Sequence, residues 1–224
     1  MQEKTTAQLD PIESLEDIDF LVADNSPSGG GTGIITKADL FAGFSGAVSL
    51  PMFDVTSAPY NATGDGVTDD TAAFESAYAD LVAAGGGMIF VPTGTFIVDG
   101  LIHVTSNFTF AGVGQDSIIK LKANANTDTI CDGNAVTAQE NVHYRNFAID
   151  GNKSNQPADK PVTPASAERC GLRLRHDAQN TYYVTVENIY AYNTRQNGIS
   201  VESTNGCTVS QCRSEYNDVY GIWW

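Results

Sequence analysis

The stretch from Gly64 to Phe96, GDGVTDDTAAFESAYADLVAAGGGMIFVPTGTF, decides the fold. It begins with a cluster of carboxylates and ends with three glycines followed by an apolar run. Between these features, apolar side chains recur at three- and four-residue spacing: Phe74, Ala77, Tyr78 and Leu81. This spacing predicts one amphipathic helix from about residue 70 to residue 84, with an apolar stripe that packs on a core.

Two chemical interpretations of this stretch are weaker than structural ones. The aspartates Asp65, Asp69 and Asp70 could form a site, but Asp also accepts backbone N–H bonds and suits turns and helix N-termini. We therefore interpret Asp69 and Asp70 as helix-start residues, with Thr68 or Asp69 as the N-cap. The glycines Gly85–Gly87 are predicted to end the helix, because no lysine or serine follows them at the spacing of a phosphate loop.

The charge balance excludes some classes of partner. The chain has 224 residues, a formal net charge of −15 and a pI near 4.3. Such an acidic surface repels nucleic acid and anionic lipid, so we expect no nucleic-acid partner. No apolar run is long enough to cross a bilayer, and the polar start MQEKTTAQLD lacks the features of a secretory signal, so we expect no membrane insertion.

Metal and cofactor chemistry has little support in the sequence. The four cysteines, Cys131, Cys170, Cys207 and Cys212, show no CxxC spacing, and the three histidines fall in no zinc pattern. We expect no metal and no cofactor, and we interpret the cysteines as buried free thiols.

The C-terminal half contains a repeat. VTVENIYAYNTRQNG from Val184 aligns with CTVSQCRSEYNDVYG from Cys207 at a spacing of about 23 residues, and VHYRNFAIDGN is a looser earlier copy. Gly198–Val201 and Gly221–Trp224 align at the same spacing. A period of this size with several strands of about three to five residues is typical of a parallel β-solenoid. Its inward ladder is expected to include Val184, Val186, Ile189, Val209 and Cys212.

A solenoid exposes apolar side chains and unpaired backbone groups at its first coil. The predicted helix precedes that coil, so we expect it to be an N-terminal cap. The cap residues are Asp69, Asp70, Phe74, Ala77, Tyr78 and Leu81. The solenoid is expected to occupy residues 51–224 and to continue beyond Trp224, since the chain ends inside a strand-like run.

Residues 1–50 have a different composition. They predict two short strands and a short helix, with apolar positions Phe20, Leu21, Val22, Ile34, Ile35, Leu40, Phe41 and Phe44. This apolar surface is too small for an independent core, so the segment is expected to fold against a partner, most simply other copies of the chain.

Phe53 to Gly114 resembles the opening of the pectate-lyase-like superfamily of right-handed β-helix proteins. The shared features are the gDGvtDdT turn, the helix, the glycine break and a vPxGtY strand, with Phe96 at the tyrosine position. The resemblance implies a mainly β fold, a right-handed parallel β-helix with an N-terminal capping α-helix.

The segment DIDFLVADNSPSGGGTGIITKADLFAGF, from Asp17, is similar to the virion-anchoring segments of phage tail fibres and tailspikes. This resemblance implies a homotrimer that attaches to phage tail or baseplate proteins through residues 1–50. It also implies assembly in the host cytoplasm, a place at the virion tail tip, and recognition of host surface polysaccharide, with or without depolymerisation. Two alternatives stay open: a bacterial pectate-lyase-like or glycoside-hydrolase enzyme, and a non-catalytic structural or adhesive trimeric fibre.

The catalytic signals are weak. Glycoside hydrolysis needs two carboxylates that flank the bond, and lyase chemistry needs a base. The candidate carboxylates are Asp150, Glu187, Glu202, Glu215 and Asp218, and a true active site is expected beyond residue 224. Asn193-Thr194-Arg195 resembles the N-T-D of polygalacturonase-type enzymes, but Arg195 replaces the acid.

Two further groups leave alternatives open. The pair His176–Asp177 could be a base with its orienting residue, or a loop pair. Aromatic residues are dense near the C-terminus, where they could stack on sugar rings or form a trimer interface. They are Tyr182, Tyr183, Tyr190, Tyr192, Tyr216, Tyr220, Trp223 and Trp224.

Overall fold

The structure, a computed structural model, describes residues 20–21, 34–35, 51–103, 105–132, 139–157, 168–175, 181–202 and 204–223. For residues below 51 and for residues 181, 182, 204 and 205, only the backbone is described. The predicted anchor residues Val22, Leu40, Phe41 and Phe44 lie outside these ranges, as do His176, Asp177 and Trp224.

The chain divides into two units, residues 1–49 and residues 50–224. In the first unit, strands β1 (Phe20–Leu21) and β2 (Ile34–Ile35) pair antiparallel, with Phe20 opposite Ile35. Both strands lie where the sequence predicts them.

The second unit contains one α-helix and fifteen strands among its described residues. In chain order they are β3 (Met52–Asp54), β4 (Asp65–Asp69), α1 (Thr71–Ala83), β5 (Gly87–Val91), β6 (Gly94–Val98), β7 (Leu101–Ile102), β8 (Phe108–Gly112), β9 (Ser117–Leu121), β10 (Ile130–Cys131), β11 (Glu140–Asp150), β12 (Leu172–Arg175), β13 (Thr181–Tyr192), β14 (Ile199–Glu202), β15 (Thr204–Ser210), β16 (Arg213–Glu215) and β17 (Ile222–Trp223).

All described pairings of the second unit are parallel, and they stack successive turns of the chain into three strips. Sheet 1 contains β3, β5, β8, the first halves of β11 and β13, and β15. Sheet 2 contains β4, β6, β9, the second halves of β11 and β13, and β16. Sheet 3 contains β7, β10, β12, β14 and β17. The chain therefore coils as a parallel solenoid, as its repeat predicts.

The prediction that every strand has about three to five residues is wrong for β11, β13 and β15, which have 11, 12 and 7 residues. β11 and β13 pass from sheet 1 to sheet 2 at asparagines with positive φ, Asn146 (60°) in β11 and Asn188 (51°) in β13. Asn188 Nδ2 donates to Asn146 Oδ1 at 3.1 Å, so the two corners support each other. Because asparagine tolerates the left-handed conformation, each of these strands can bend and still pair with neighbouring strands in both sheet 1 and sheet 2.

The interior is an apolar ladder that follows the predicted repeat. Val184 pairs with Cys207 and Ile199 with Ile222, which confirms the alignment of the last two coils. Val142 pairs with Val184, which confirms the looser earlier copy. One inward column consists of the fully buried Ile89, Phe110, Tyr144 and Val186, followed by Val209.

Helix α1 packs its apolar stripe on the first coils. The Phe74 ring is 5.6 Å from the Phe96 ring and 6.1 Å from the Phe110 ring, measured between centroids. Ala77 and Leu81 are fully buried beside it. The helix thus exists within one residue of its predicted bounds, and its role as the cap of the solenoid stays a prediction that this packing favours.

The predicted N-cap, Thr68 or Asp69, is wrong. Asp70 holds the N-cap position, and its side chain makes no capping bond. Instead, the buried Asp70 carboxylate accepts the backbone N–H groups of Thr63 (2.6 Å) and Gly64 (3.1 Å). The Asp70 side chain faces this turn because the N–H groups of Thr63 and Gly64 would otherwise lack a hydrogen-bond partner. Asp69 bonds Thr71 at the helix start, so the structural interpretation of these aspartates holds.

The start and end of the helix differ in how well they are predicted. The segment Asp65–Asp69 is a β-strand and not the expected turn, although the Asp65 carboxylate accepts the N–H of Val67 (2.9 Å) as in a turn. The glycines do end the helix: Gly86 N–H bonds the Leu81 carbonyl at 3.0 Å, and Gly85 has a φ of 80°.

The four cysteines are thiols and not disulfides, as predicted, although only Cys131 and Cys170 are buried and Cys207 and Cys212 are half-buried. In the part of the chain that the structure describes, no helix is long and apolar enough to cross a membrane.

Candidate functional site

The five predicted carboxylates do not form one site. Asp150 and Glu215 are on the outer side of sheet 2, each beside Tyr192 in the strand register. Asp218 lies in the turn after that sheet, bound to Lys153 at 2.9 Å. Glu187 lies on sheet 1, beside Arg145 and Ser210, and Glu202 lies on sheet 3.

Sheet 3 combines cavities with charged groups. A cavity of 420 Å³ borders its first strands and is lined by residues that include Asp99, Ile102, Thr127, Asp128 and Cys131. A cavity of 260 Å³ borders its last strands and is lined by Glu168, Gln196, Asn197, Glu202, Val219, Tyr220 and Trp223. Concave surfaces with a few convergent polar groups are where ligands bind most often, so this is the candidate site.

The two cavities lie along one row of residues in register, Ile102, Cys131, Arg173, Ser200 and Trp223, whose two ends are exposed and whose three middle members are buried. Arg175 and Glu202 form a second pair two positions further along the strands. We call these seven residues, together with Tyr220, the sheet 3 surface. Because neighbouring strands are about 4.8 Å apart, the row of five spans about 19 Å.

A buried ion pair holds the centre of this surface. Arg173 Nε contacts Asp128 Oδ2 at 2.7 Å, and the two side chains are 1% and 0% exposed. The other Asp128 oxygen accepts the N–H groups of Glu168 (3.1 Å) and Cys170 (2.8 Å). Burial alone would lower the pKa of Arg173, but the Asp128 carboxylate raises it above the ordinary value, so the guanidinium stays charged. Since the buried charges are paired and hydrogen-bonded, their role is structural.

The rim of the surface presents an accessible cation. Arg175 faces two carboxylates, Glu168 at 3.4 Å and Glu202 at 3.7 Å, and its side chain is 35% exposed. Its backbone N–H donates to Asp132 at 2.5 Å, and Ser200 Oγ donates to Glu202 at 2.9 Å. Arg175 is therefore held at the surface, where its guanidinium can exchange a carboxylate partner for an acidic or hydroxylated ligand.

The last strand supplies an aromatic platform. The rings of Tyr220 and Trp223 are 5.0 Å apart with an interplanar angle of 30°, and 52% and 44% of these residues is exposed. The amides of Gln196 and Asn197 and the Glu202 carboxylate line the same cavity. Large amphipathic rings beside amide and carboxylate groups suit a ligand with flat apolar faces and many hydroxyls.

The pKa values give little support for acid–base catalysis. Arg213 lowers the pKa of Glu215, and Lys153 lowers the pKa of Asp218, so neither carboxylate has the raised pKa that a general acid needs. Burial raises the pKa of Cys170, so this thiol is not an activated nucleophile. Among the described residues, no group of three His, Cys, Asp or Glu side chains is placed to hold a metal ion.

Comparison with known proteins gives the family. Residues 55–181, more than half of the chain, match the family described as rhamnogalacturonase A/epimerase, pectate lyase-like. The chain belongs to this family. The resemblance inferred from Phe53–Gly114 is thereby confirmed, as is a mainly β fold of coiled parallel sheets.

Two kinds of curated relative are similar to this pectate-lyase-like chain. The pre-neck appendage protein of Bacillus phage phi29 is 36% identical over 106 residues, which cover 46% of this chain and 12% of the phage protein. Mannuronan C5-epimerase AlgE5 of Azotobacter vinelandii is 32% identical over 106 residues, which cover 43% of this chain and 11% of the epimerase. The chain thus spans only a small part of the length of these relatives.

Solved structures show the same two kinds of neighbour. Pre-mature gene product 12 of bacteriophage phi29 has a TM-score of 0.55 at 26% identity, covering 76% of this chain and 21% of that chain. The A-module of Azotobacter vinelandii mannuronan C-5 epimerase AlgE4 has a TM-score of 0.56 at 21% identity, covering 77% of this chain and 53% of that chain. The second likeness concerns the fold alone.

Sequence reasoning missed most of the sheet 3 surface in this pectate-lyase-like chain. Glu202 and the aromatic residues Tyr220 and Trp223 were candidates, but Asp128, Arg173 and Arg175 were not. A signal for the arginines exists in GLRLR, where they alternate with Leu172 and Leu174 as outward residues of a strand. Nothing in the sequence pairs Arg173 with Asp128, because that contact joins different coils.

Proposed function

We propose that this chain is part of a phage virion appendage whose sheet 3 surface binds a polysaccharide. The observation that carries the proposal is the half-exposed Tyr220–Trp223 platform beside the 260 Å³ cavity. Aromatic rings receive the apolar face of a pyranose, and the lining amides and carboxylates can bond its hydroxyls.

The rim offers both donors and acceptors to a hydroxyl-rich ligand. Arg175 is 35% exposed, and the Glu168 carboxylate lies 3.4 Å from its guanidinium. Arg175 lies beside Glu202, on the same sheet as Trp223. A guanidinium in this place can bind a sugar carboxylate or a pair of hydroxyls, because it presents several donors in one plane.

The virion part of the proposal rests on the relatives and on the N-terminal segment. The relatives of Bacillus phages are named as pre-neck appendage proteins. Residues 1–50 are similar to virion-anchoring segments, so in the proposal they attach the chain to phage tail or baseplate proteins. The assembly is a homotrimer made in the host cytoplasm and placed at the tail tip, and its ligand is host surface polysaccharide.

A second candidate function is enzymatic modification of a polyuronate. The relatives named as mannuronan C5-epimerases favour it, and so do the arginine and carboxylates of the sheet 3 surface. The lowered pKa values of Glu215 and Asp218 favour binding over catalysis for sheet 2 and its following turn. Full-length protein incubated with the polysaccharides that it binds separates the two functions: epimerised residues, new reducing ends or 4,5-unsaturated uronate indicate the enzyme, and their absence indicates the binder.

The binding proposal is tested with Trp223→Ala on a panel of capsular and lipopolysaccharide glycans. We expect about a tenfold or larger loss of affinity for the glycan that the unmodified chain binds, because the stacking surface is removed. The matched control is Tyr183→Asn, which removes an aromatic residue that is 69% exposed on β13. Tyr183 has a φ of 59°, which asparagine tolerates. Equal losses in both variants, or none in either, would exclude the platform as the binding site.

A further inference from the structure

A second aromatic cluster lies on the outer side of sheet 2, away from the residues of the sheet 3 surface. Tyr190 and Tyr192 are two positions apart on β13, and their rings stack at 4.8 Å with an angle of 23°. The Arg213 guanidinium lies over the Tyr190 ring, 5.0 Å from its centroid. Tyr190 also donates to Glu215 at 3.2 Å, and Glu215 accepts from Arg213 at 2.6 Å. These contacts hold the tyrosines in place before any ligand arrives.

Tyr192 is the ring of this cluster that a ligand can use. One of its faces contacts Tyr190, whereas the half-buried residue keeps contact with solvent. Burial, Asp150 and Tyr190 raise the pKa of Tyr192 to about 12, so its hydroxyl is a donor at every physiological pH.

Groups that bond hydroxyls surround Tyr192. Asp150 is its strand neighbour in register and contacts Lys120 at 3.7 Å. Asn193 Nδ2 donates to Asp150 at 3.4 Å, and Lys153 N–H donates to the Asn193 carbonyl at 2.9 Å. The set includes a carboxylate acceptor, an amide and ammonium donors, which is the mixture that sugar hydroxyls require because each hydroxyl both donates and accepts.

We propose that Tyr192, Asp150 and Asn193 form a second carbohydrate-binding site, which takes a neutral hexopyranose. The cations near it are already paired with carboxylates: Lys120 with Asp150, and Lys153 and Arg195 with Asp218. Lys153 and Arg195 share one carboxylate in the turns that follow sheet 2, whereas the strand neighbours of the Tyr192 ring itself are two carboxylates, Asp150 and Glu215, which repel a uronate. This proposal rests on residues of sheet 2 and does not depend on the proposed function of sheet 3.

The same ion pairs argue against a second copy of the chain as the occupant. A protein partner that covered this face would take the three pairs out of water, and the desolvation of paired charges offsets much of the gain from contact. A sugar on the Tyr192 ring contacts Asp150 alone among the paired groups and leaves the pairs of Asp218 hydrated.

The test uses the whole 224-residue chain with Trp223→Ala as the background, so that the sheet 3 platform does not contribute. The probes are the neutral hexasaccharides maltohexaose, cellohexaose and mannohexaose, with hexagalacturonate as the acidic probe, measured by saturation-transfer NMR and calorimetry. We expect binding of at least one neutral probe, stronger than that of hexagalacturonate. Adding Tyr192→Ala lowers its affinity about tenfold or more, whereas Tyr192→Phe stays within about threefold because the ring is kept.

Controls separate loss of the site from loss of the fold. Tyr183→Asn in the same background is expected to keep the affinity. The unfolding midpoint of every variant should differ from that of the background by no more than an exposed substitution causes. Three results overturn the proposal: no neutral probe binds, the affinity is unchanged by Tyr192→Ala, or Tyr192→Ala lowers the mass of the particle in sedimentation. The last result would assign the face to a contact between copies.

Discussion

At the scale of single residues, Asp128 determines whether the sheet 3 surface is assembled. It binds Arg173 through one oxygen and the backbone of Glu168 and Cys170 through the other. Glu168 in turn contacts Arg175 at 3.4 Å. The accessible cation of the rim therefore depends, through two contacts, on a buried carboxylate.

Asp128→Ala leaves the guanidinium of Arg173 buried without this partner. We expect a loss of about 3–5 kcal/mol in the free energy of unfolding, measured by urea titration, because the removal of one partner from a buried ion pair is strongly destabilising. The control is Asp116→Ala, which removes an exposed aspartate and should change stability by no more than about 0.5 kcal/mol. Equal stability of the two variants would show that the pair is not buried as described.

His103 gives the core a pH dependence. It is 3% exposed and stacked among Tyr78, Phe108 and Tyr144, and burial lowers its pKa to about 3. Between that pH and about 6.5 the unfolded chain binds a proton that the folded chain does not, so this residue removes stability as the pH falls, by about 1.4 kcal/mol per unit.

The measurement for this residue is the urea midpoint of the unmodified chain and of His103→Gln from pH 7 to pH 4.5. We expect the variant to start less stable and to show a shallower decline. Parallel curves for the two proteins over that range would mean that His103 is not the titrating group.

At the scale of elements, helix α1 is the part best predicted from sequence. The apolar stripe of Phe74, Ala77 and Leu81 repeats at helical spacing, and Gly85 follows soon after the last helical residue. The local sequence therefore predicts both that the helix exists and where it begins and ends. The bent strands are not predicted by the local sequence. Asn146 and Asn188 are residues typical of turns, but in the structure they lie inside long strands that pair on both sides of the bend. Whether an asparagine ends a strand or bends it depends on the neighbouring coil, which local sequence does not contain.

The helix is predicted to stabilise the first coils. Phe74→Ala removes a ring that packs on Phe96 and Phe110, and we expect a loss of about 3–5 kcal/mol in the free energy of unfolding. Hydrogen exchange should rise first in β5, whose strand the helix contacts. Glu75→Ala, an exposed change one residue away, should leave both measurements nearly unaltered. A Phe74 variant as stable as the Glu75 variant would contradict the cap.

At the scale of the whole molecule, the repeat predicts the architecture but not the site. The spacing of about 23 residues holds from Val184 to Cys207, whereas the coil from Val142 to Val184 contains a longer excursion. Carboxylates in different coils cannot be aligned by counting residues across such excursions. The structure places Asp150 and Glu215 on sheet 2, Glu187 on sheet 1 and Glu202 on sheet 3, a distribution that the repeat alone does not predict.

The two proposed binding surfaces give the solenoid two different ligand preferences. The sheet 3 surface combines Trp223 with the accessible Arg175, whereas the sheet 2 cluster combines Tyr192 with Asp150. A polysaccharide with both acidic and neutral sugars could contact both, which would raise its effective affinity without new contacts at either place.

The most direct measurement of the central claim is a crystal structure of the chain with an oligosaccharide from a polysaccharide that it binds. We expect sugar density against the rings of Tyr220 and Trp223, with Arg175 or Glu202 within hydrogen-bond distance of a sugar oxygen. A bound oligosaccharide that leaves the sheet 3 surface empty would contradict the claim.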